Sequence, residues 1–127
     1  MKLAFTVPGQ PKALARARHG QHGNVYTTDE DLAYQAEVWV CALKAGARQL
    51  QFADRPVNVT IRLFLTRPKK PKHPDFPIVR PDIDNFCKQF LDALRPLWVD
   101  DCQVIRLVAA KVYHPGEPRA EVEVEDL

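Results

Sequence analysis

The feature that most constrains the fold is a regular alternation of apolar and polar residues over residues 56–66. A period of two predicts a strand with one buried face and one face in water, with Phe64 as the apolar exception on the wet face. The buried face requires a second layer of structure to cover it. The inward set is Val57, Val59, Ile61, Leu63 and Leu65, and the outward polar set is Asn58, Thr60, Arg62 and Thr66.

A long helix is predicted before this strand. Thr27 and Glu30 have the spacing of a capping box, and the helical pattern continues to about residue 47 or 50, with Gly46 as a weak point. Both sides of the helix are apolar, so we expect both to be buried, the bulkier one against another subunit. The first stripe is Tyr34, Val38, Cys41, Ala42 and Ala45. The second, bulkier stripe is Leu32, Ala36, Trp39, Val40 and Leu43.

A shorter helix is predicted over residues 83–95, where apolar residues recur at helical spacing and Pro96 ends the pattern. Residues 2–8, 103–113 and 119–125 read as strands, residues 25–27 as a short strand or hairpin arm, and residues 114–118 as a hairpin joining the last two strands. This order predicts an α+β fold, in which two main helices pack on a mixed sheet within a single domain, residues 1–127. The stripe of the shorter helix is Ile83, Phe86, Cys87, Phe90, Leu91 and Leu94.

Two basic segments, residues 8–25 and the proline-rich residues 67–81, are predicted to be exposed loops. Residues 1–81 carry 13 Lys and Arg against 6 Asp and Glu, whereas residues 82–127 carry 5 against 10. A basic half beside an acidic half suits an enzyme that grips a polyanion and holds metal ions, and it also suits a chain with no partner. Candidate phosphate contacts, each with a solvated surface charge as the alternative, are Arg16, Arg18, Lys69, Lys70 and Lys72.

Several classes of function are disfavoured by composition. Serine is absent, which removes serine-based nucleophilic catalysis, and there is no Gly-rich phosphate loop. The four histidines are too scattered for a zinc site, and Cys41, Cys87 and Cys102 are predicted to be reduced core residues. No apolar run is long enough for a membrane span and no secretion signal is evident, so we expect a cytoplasmic protein that has no membrane partner.

Asp82 and Asp84 stand where the basic loop enters the second helix. Capping explains one such aspartate well, because Asp accepts the unpaired N–H groups of a first turn, but it explains two less well. Lys88 lies one turn after Asp84. It forms either a surface ion pair with Asp84 or a contact to a scissile phosphate.

Asp100 and Asp101 follow the apolar residues 97–99 and precede an apolar strand. A turn is the simple interpretation, since Asp favours turns. At a junction between buried elements, however, uncompensated charge is costly, and a divalent cation such as Mg²⁺ would relieve that cost. A helix and a short connection could return Asp100 and Asp101 to the neighbourhood of Asp82 and Asp84, giving a site for metal-assisted phosphodiester hydrolysis.

Three blocks of sequence resemble the RusA family of Holliday junction resolvases, in its phage and prophage branch. They are Arg80 to Lys88 (Arg-Pro-Asp-Ile-Asp-Asn-Phe-Cys-Lys), Leu91 to Leu94, and Trp98 to Val104. The amino-terminal Phe5 to Gly9, the basic Lys12 to Arg18 and Tyr26-Thr27 are similar as well, so the resemblance covers nearly the whole chain.

The resemblance implies a homodimeric, Mg²⁺-dependent endonuclease, with Mn²⁺ as a substitute and no organic cofactor, that resolves four-way DNA junctions by paired nicks in recombination and repair. It carries essential roles to Asp82, Asp84, Asp101 and Lys88, a less defined metal role to Asp100, and a basic position to Lys111. Lys12, Arg80 and Lys111 join the candidate phosphate contacts named above, and together they are the expected DNA contacts.

Residues 67–80 are longer and richer in proline than the best-known family pattern, and the amino-terminal segment is expanded. Flaps or other branched DNA are therefore alternative substrates. A non-catalytic DNA-binding module, and an interaction subunit that dimerises through the first helix, are the alternatives from other classes.

Overall fold

The computed structural model describes residues 1–15, 18–19 and 25–127. Its elements are β1 (Lys2–Pro8), β2 (Arg18–His19), β3 (Val25–Tyr26), α1 (Asp29–Lys44), β4 (Val57–Thr66), α2 (Ile83–Ala93), β5 (Val104–His114) and β6 (Arg119–Asp126). The short strands β2 and β3 pair antiparallel, as expected for a hairpin arm at residues 25–27.

The main sheet has the strand order β1-β6-β4-β5. β4 is parallel to β5 and antiparallel to β6, and β6 is antiparallel to β1, so the sheet is mixed. Alternate residues of β1, β4 and β6 are buried, and both helices cover that face, α1 beside β1 and α2 beside β5. The predicted α+β fold with two helices on a mixed sheet is confirmed.

The predicted hairpin between the last two strands is wrong. β5 and β6 lie on opposite sides of β4, and residues 115–118 cross the end of β4 to connect them. All five inward residues of β4 are buried, because this strand lies inside the sheet and the helices cover its inward face. Phe64, the apolar exception on the wet face, is covered where the connection crosses: the Arg119 guanidinium lies 4.2 Å from its ring centre and the His114 ring 5.4 Å away.

Helix α1 begins one residue later than the predicted capping box. Thr28 is its N-cap and accepts a hydrogen bond from the backbone N–H of Asp31, so the capping pair is Thr28 and Asp31. The helix ends at Lys44, earlier than expected, because Gly46 takes a left-handed backbone conformation (φ +103°) that terminates it.

Only one apolar stripe of α1 is covered. Tyr34, Val38 and Ala42 are buried, whereas Leu32, Val40 and Leu43 on the second stripe are exposed. Tyr34 packs edge-on against Phe90 of α2, with ring centres 5.8 Å apart, which joins the two helices over the sheet.

Helix α2 follows its predicted stripe. Phe86, Cys87, Phe90 and Leu94 are buried, and a 3-10 turn over Arg95–Leu97 continues from it. Residues 67–81 contain no helix or strand, as expected. No helix in the described part of the chain is long and apolar enough to cross a membrane.

The three cysteines carry free thiols but differ in burial. Cys87 is buried and Cys41 is partly buried, as expected for core residues, whereas Cys102 is exposed. The prediction for Cys102 is wrong because this residue belongs to a 3-10 turn before β5 rather than to the strand itself.

Candidate active site

Two carboxylates, Asp82 and Asp84, lie at the amino end of α2. Asp82 is the N-cap residue with an extended backbone, yet its side chain makes no capping hydrogen bond. Asp84 lies in the first turn, and both residues are exposed. The capping explanation therefore fails for the Asp82 side chain.

These carboxylates line an open cleft of about 510 Å³. Its other walls are Arg80, Pro81 and Asn85 on the α2 side and residues 13–15 of the amino-terminal segment on the other. The cleft is thus walled by both basic loop regions that the sequence singled out.

A buried polar network fixes the amino-terminal wall. The Leu14 N–H donates to the Asn85 carbonyl at 3.0 Å, and the Ala15 N–H donates to the Asp31 carboxylate at 3.1 and 3.2 Å. Asp31 also accepts from the Thr28 hydroxyl at 2.7 Å and from the Gln89 amide at 3.3 Å. Because Asp31 is nearly fully buried and well bonded, this network holds residues 13–15 against α2.

Sequence reasoning missed both Asp31 and Gln89. The available signal was Gln89, a polar residue that sits between Phe86 and Phe90 on the buried side of α2 and is fully buried in the structure. A polar side chain at such a position needs a partner, and the structure supplies Asp31 and the Gln35 amide, the latter at 2.8 Å.

Lys111 supports the cleft from β5. Its ammonium donates to the backbone carbonyls of Val79 and Pro81, each at 2.8 Å. These residues directly precede Asp82, so Lys111 ties the approach to the cleft onto the sheet. In this arrangement two of its three N–H donors are used by the protein itself.

The second pair of carboxylates lies at the other end of α2. Asp100 caps a 3-10 turn over Asp101–Gln103 and accepts from the Cys102 N–H at 3.1 Å. Asp101 accepts a 2.8 Å hydrogen bond from the indole N–H of Trp98, which is almost fully buried. The turn interpretation therefore describes Asp100, whereas Asp101 is oriented by a fixed aromatic side chain.

Gln103 locks this turn in place. Its amide oxygen accepts from the backbone N–H groups of Val99 and Asp100, at 2.9 and 2.8 Å. Its amide nitrogen donates to the carbonyls of Ala53 and Arg55, at 2.8 and 2.9 Å. All four hydrogen-bonding positions of the amide are used, so the backbone around Asp100 and Asp101 is firmly held.

Within one chain the two pairs of carboxylates do not meet. The 11 residues of α2 span about 16 Å and separate Asp82 from the turn that carries Asp101. Over residues 1–15, 18–19 and 25–127, no group of three or more His, Cys, Asp or Glu side chains is placed to hold a metal ion. The sequence suggested that these pairs could converge, and the described residues form no such cluster.

Lys88 forms an ion pair, but not with the residue expected. Its ammonium lies 3.0 Å from a carboxylate oxygen of Asp92, one turn toward the carboxyl end, rather than beside Asp84. Arg95 contacts the same Asp92 oxygen at 3.2 Å and approaches Asp101 at 3.8 Å. A line of alternating charge thus runs along the exposed side of α2 toward Asp101, and Asp92 is a member that sequence reasoning passed over.

The pKa of the Cys87 thiol reflects the surroundings of the amino end of α2. Burial, with a smaller contribution from the nearby Asp84 carboxylate, raises the pKa of the Cys87 thiol. The thiol is therefore neutral at physiological pH, which agrees with its place in the core.

Of the expected DNA contacts, Arg80 lines the cleft. Lys12, Arg80 and the three lysines of residues 69–72 are exposed. Arg18 belongs to strand β2, and Arg16 lies outside the described residues. Lys12, Arg80 and the three lysines are thus accessible to a polyanion, whereas the Lys111 ammonium is bound as given above.

A comparison with known protein families finds a match to this chain. The family described as Endodeoxyribonuclease RusA matches residues 8–125, nearly the whole chain. This chain belongs to the RusA family. The match includes both carboxylate pairs, Lys88 and the basic segments, so the chain is a member of an endodeoxyribonuclease family across its entire candidate site.

This chain is also similar to a bacterial protein. The Bacillus subtilis (strain 168) protein named Uncharacterized protein YqaN is 28% identical over 138 residues, which covers 98% of this chain and 96% of the relative. The two proteins are therefore similar from end to end.

Proposed function

We propose that this RusA-family chain is a metal-dependent endonuclease that cuts four-way DNA junctions by paired nicks. The observation that carries the proposal is the exposed pair Asp82 and Asp84, which lines a cleft between two basic segments. The Asp82 side chain makes no capping hydrogen bond. Carboxylates placed beside cations that attract DNA suit phosphodiester hydrolysis, because a DNA-binding module gains nothing from negative charge at its contact surface.

Mg²⁺, or Mn²⁺ in its place, is the proposed cofactor, and no organic cofactor is required. Asp82 and Asp84 fit half of such a site, since Mg²⁺ is commonly held by one or two carboxylates together with substrate phosphates. Asp100 and Asp101 do not fit the same site within one chain, because α2 separates them from it. An ion held by Asp82 and Asp84 would lower the pKa of a bound water and offset phosphate charge.

The basic residues supply the grip on DNA in this proposal. Lys12, Arg16, Arg18 and Arg80 would contact phosphates near the cleft, and Lys69, Lys70 and Lys72 would extend the contact along the proline-rich loop. Lys88 would shift its ammonium from Asp92 to the scissile phosphate, a change that breaks a partly exposed ion pair worth about 1 kcal/mol. We propose that the protein works in the cytoplasm, in DNA recombination and repair.

The deciding experiment is a cleavage assay on three synthetic substrates: a four-way junction, a flap and a linear duplex. Each is incubated with Mg²⁺, with Mn²⁺ and with chelator. Paired nicks in the junction that require the metal support the proposal. Nicks in the flap but not in the junction would replace the proposed substrate, and tight junction binding without metal-dependent nicks would identify a binding module instead.

A further inference from the structure

The proline-rich segment, residues 67–81, leads directly into the cleft that Asp82 and Asp84 line. Arg80 and Pro81, near its end, form part of the cleft wall. The Lys111 ammonium ties the carbonyls of Val79 and Pro81 to β5. The end of the segment is therefore fixed relative to the carboxylates.

The middle of the segment has a defined conformation, although it contains no helix or strand. The Phe76 N–H donates to His73 Nδ1 at 3.1 Å, and the His73 ring lies 5.4 Å from the Phe76 ring. Arg67 Nε donates to the Pro74 carbonyl at 3.0 Å, and the Ile78 N–H donates to the Phe76 carbonyl at 2.9 Å. These contacts position the Phe76 ring before any ligand arrives.

This ordered turn presents apolar side chains to water. Phe76, Ile78 and Val79, which we call the apolar tip, are 52%, 57% and 43% exposed. Pro77, between the first two, is buried and anchors the tip. Single exposed apolar residues are ordinary, but a cluster held outward by its own backbone is typical of a binding surface.

Cations surround the apolar tip. Residues 67–81 carry five Lys and Arg residues against one Asp. Lys69, Lys70 and Lys72 precede the tip, Arg80 follows it, and all four are exposed. Surfaces that bind unpaired nucleic acid combine cations for the phosphates with aromatic rings on which the bases stack. The segment has both components.

The Phe76 ring also borders a place for a flat ligand. Phe76 lines an open groove of about 480 Å³, together with residues 112–115 at the end of β5. Arg67 and Asp75 line the same groove. An aromatic wall with a few polar groups beside it suits a planar heterocycle that can form hydrogen bonds.

We infer, on the basis of the proposed endonuclease function, that Phe76 stacks on an unpaired nucleobase of branched DNA in this groove. Within a continuous duplex both faces of each base are covered by its neighbours. An aromatic side chain therefore gains a stacking partner only where a branch interrupts the stack. Any base can serve, because every base has a π face.

The length of the segment places this contact close to the cut. Six residues separate Phe76 from Asp82, and they span at most about 22 Å when fully extended. Successive phosphates of one DNA strand are about 3.4 Å apart along the helix axis. A base on Phe76 thus lies within about six nucleotides of a phosphate at Asp82, so the contact recognises a branch beside the scissile bond.

A lipid surface is the competing occupant, since exposed apolar residues among lysines also suit a membrane interface. However, the tip borders two concave surfaces. Phe76 lines the groove, and Arg80 lines the cleft. A flat lipid surface fills neither of them, whereas an extended nucleic-acid strand can enter both.

Binding measured in chelator tests the inference without cleavage. The ligands are a four-way junction, a flap with a single-stranded arm and a linear duplex, each followed by fluorescence anisotropy. Phe76→Ala should weaken binding to the junction and the flap by about 10-fold, the effect of losing one stacked base. Its affinity for the duplex should be unchanged, and thermal unfolding checks that the variant folds.

Matched variants separate stacking from apolar burial. Phe76→Tyr keeps the aromatic face and should bind all three ligands normally. Phe76→Leu keeps an apolar side chain without a π face, so it should lose as much affinity as Phe76→Ala. Leu43→Ala removes an apolar side chain that is 45% exposed on α1 and should have no effect. Full binding by Phe76→Leu would overturn the inference.

A change in the DNA provides the second half of the test. A flap whose first six arm nucleotides lack bases keeps the phosphate charges and loses the stacking partners. The unsubstituted protein should bind it about 10-fold more weakly than the complete flap. Phe76→Ala should add no further loss, because both changes remove the same contact. Losses that multiply would show that Phe76 does not contact these bases and would overturn the inference.

Other outcomes also overturn base stacking. An equal loss of affinity for the junction, the flap and the duplex would limit Phe76 to shaping the loop. Unchanged DNA affinity, together with Phe76-dependent binding to vesicles of phosphatidylcholine and phosphatidylglycerol, would assign the tip to a lipid surface. Unchanged DNA affinity with a changed molecular mass in sedimentation would assign it to a protein interface.

The binding assays also separate the inference from the function on which it rests. If the unsubstituted protein does not nick the junction but Phe76 still discriminates branched from linear DNA, the proposed function fails and the inference stands. If the protein nicks the junction and Phe76→Ala binds it normally, the function stands and the inference fails.

Discussion

The two ends of helix α2 present carboxylates in opposite ways. At the amino end, Asp82 and Asp84 are exposed on an open cleft, and Asp82 makes no capping bond. At the carboxyl end, Asp101 is bonded to the buried Trp98, and Gln103 secures the surrounding backbone with four hydrogen bonds. One end is accessible to a ligand, and the other is rigid before any ligand arrives.

The contrast separates an accessible pair of carboxylates from a pre-positioned one. A pre-positioned carboxylate loses little freedom on binding, whereas exposed carboxylates can approach a bulky polyanion. Exposed carboxylates repel one another and DNA unless a cation joins them.

The largest effect on cleavage is expected from Asp82→Asn. We expect cleavage of the junction to fall by at least about 100-fold, because a ligand of the proposed metal ion is lost. Junction binding and thermal stability should persist, since the Asp82 side chain makes no capping hydrogen bond. The assays are single-turnover cleavage, gel shift and thermal unfolding.

Asp54→Asn is the matched control, an exposed aspartate outside both carboxylate pairs. Its cleavage rate should equal that of the unsubstituted protein. Normal cleavage by the Asp82 variant would remove the amino end of α2 from the chemistry.

The rigid end is tested by Trp98→Phe. This change keeps an aromatic ring in the core but deletes the indole N–H that orients Asp101. Cleavage should fall about 10-fold, as is typical when a residue that orients a ligand is removed. The free energy of unfolding should fall by about 1 kcal/mol for the lost hydrogen bond.

Trp39→Phe, at a half-buried position on α1, provides the comparison for loss of an indole. It should leave cleavage intact. If the two variants lose the same cleavage activity, Trp98 matters for packing alone and Asp101 does not need to be oriented.

Lys111→Met distinguishes support of the cleft from a contact to DNA. If the ammonium positions the residues before Asp82, the variant should lower kcat by less than about 10-fold while the salt dependence of DNA binding stays unchanged. A phosphate contact would instead weaken binding and reduce the salt slope by about 1. A changed slope with normal kcat would return Lys111 to the set of DNA contacts.

The smallest expected effect is a shift in the titration of Cys87. The Asp84 carboxylate contributes to raising the pKa of this thiol, after burial. Asp84→Asn should therefore lower the Cys87 pKa toward its ordinary value, so the thiolate appears at lower pH. The measurement is the pH dependence of alkylation in a Cys41→Ala/Cys102→Ala background, and an unchanged profile would place Asp84 away from Cys87.

Local pattern was sufficient for most elements of the fold. The alternation of residues 57–66 defined β4, and the helical spacing from Phe86 to Leu94 defined α2, because burial of one face imposes a period that depends only on neighbouring residues. Gly46 marked the end of α1, although the helix pattern suggested a later one. The family blocks also marked Asp82, Asp84, Lys88 and Asp101 as candidates without any structure.

Pairing across the chain was decided only by the tertiary structure. The sequence placed β5 and β6 in a hairpin, but β4 lies between them, a pairing that the pattern within each strand does not determine. Likewise Lys88 pairs with Asp92 rather than Asp84, a choice between two partners at equal spacing that pattern does not make.

The sequence by itself determined which residues carry charge, which faces are apolar and to which family the residues are similar. Only the tertiary structure showed that α2 and β5 hold Asp82 and Asp101 at opposite ends, that Trp98 orients Asp101 and that Lys111 supports the cleft. The physical reason is range: periodicity follows from contacts along a few residues, whereas the meeting of distant side chains depends on how whole elements pack and pair.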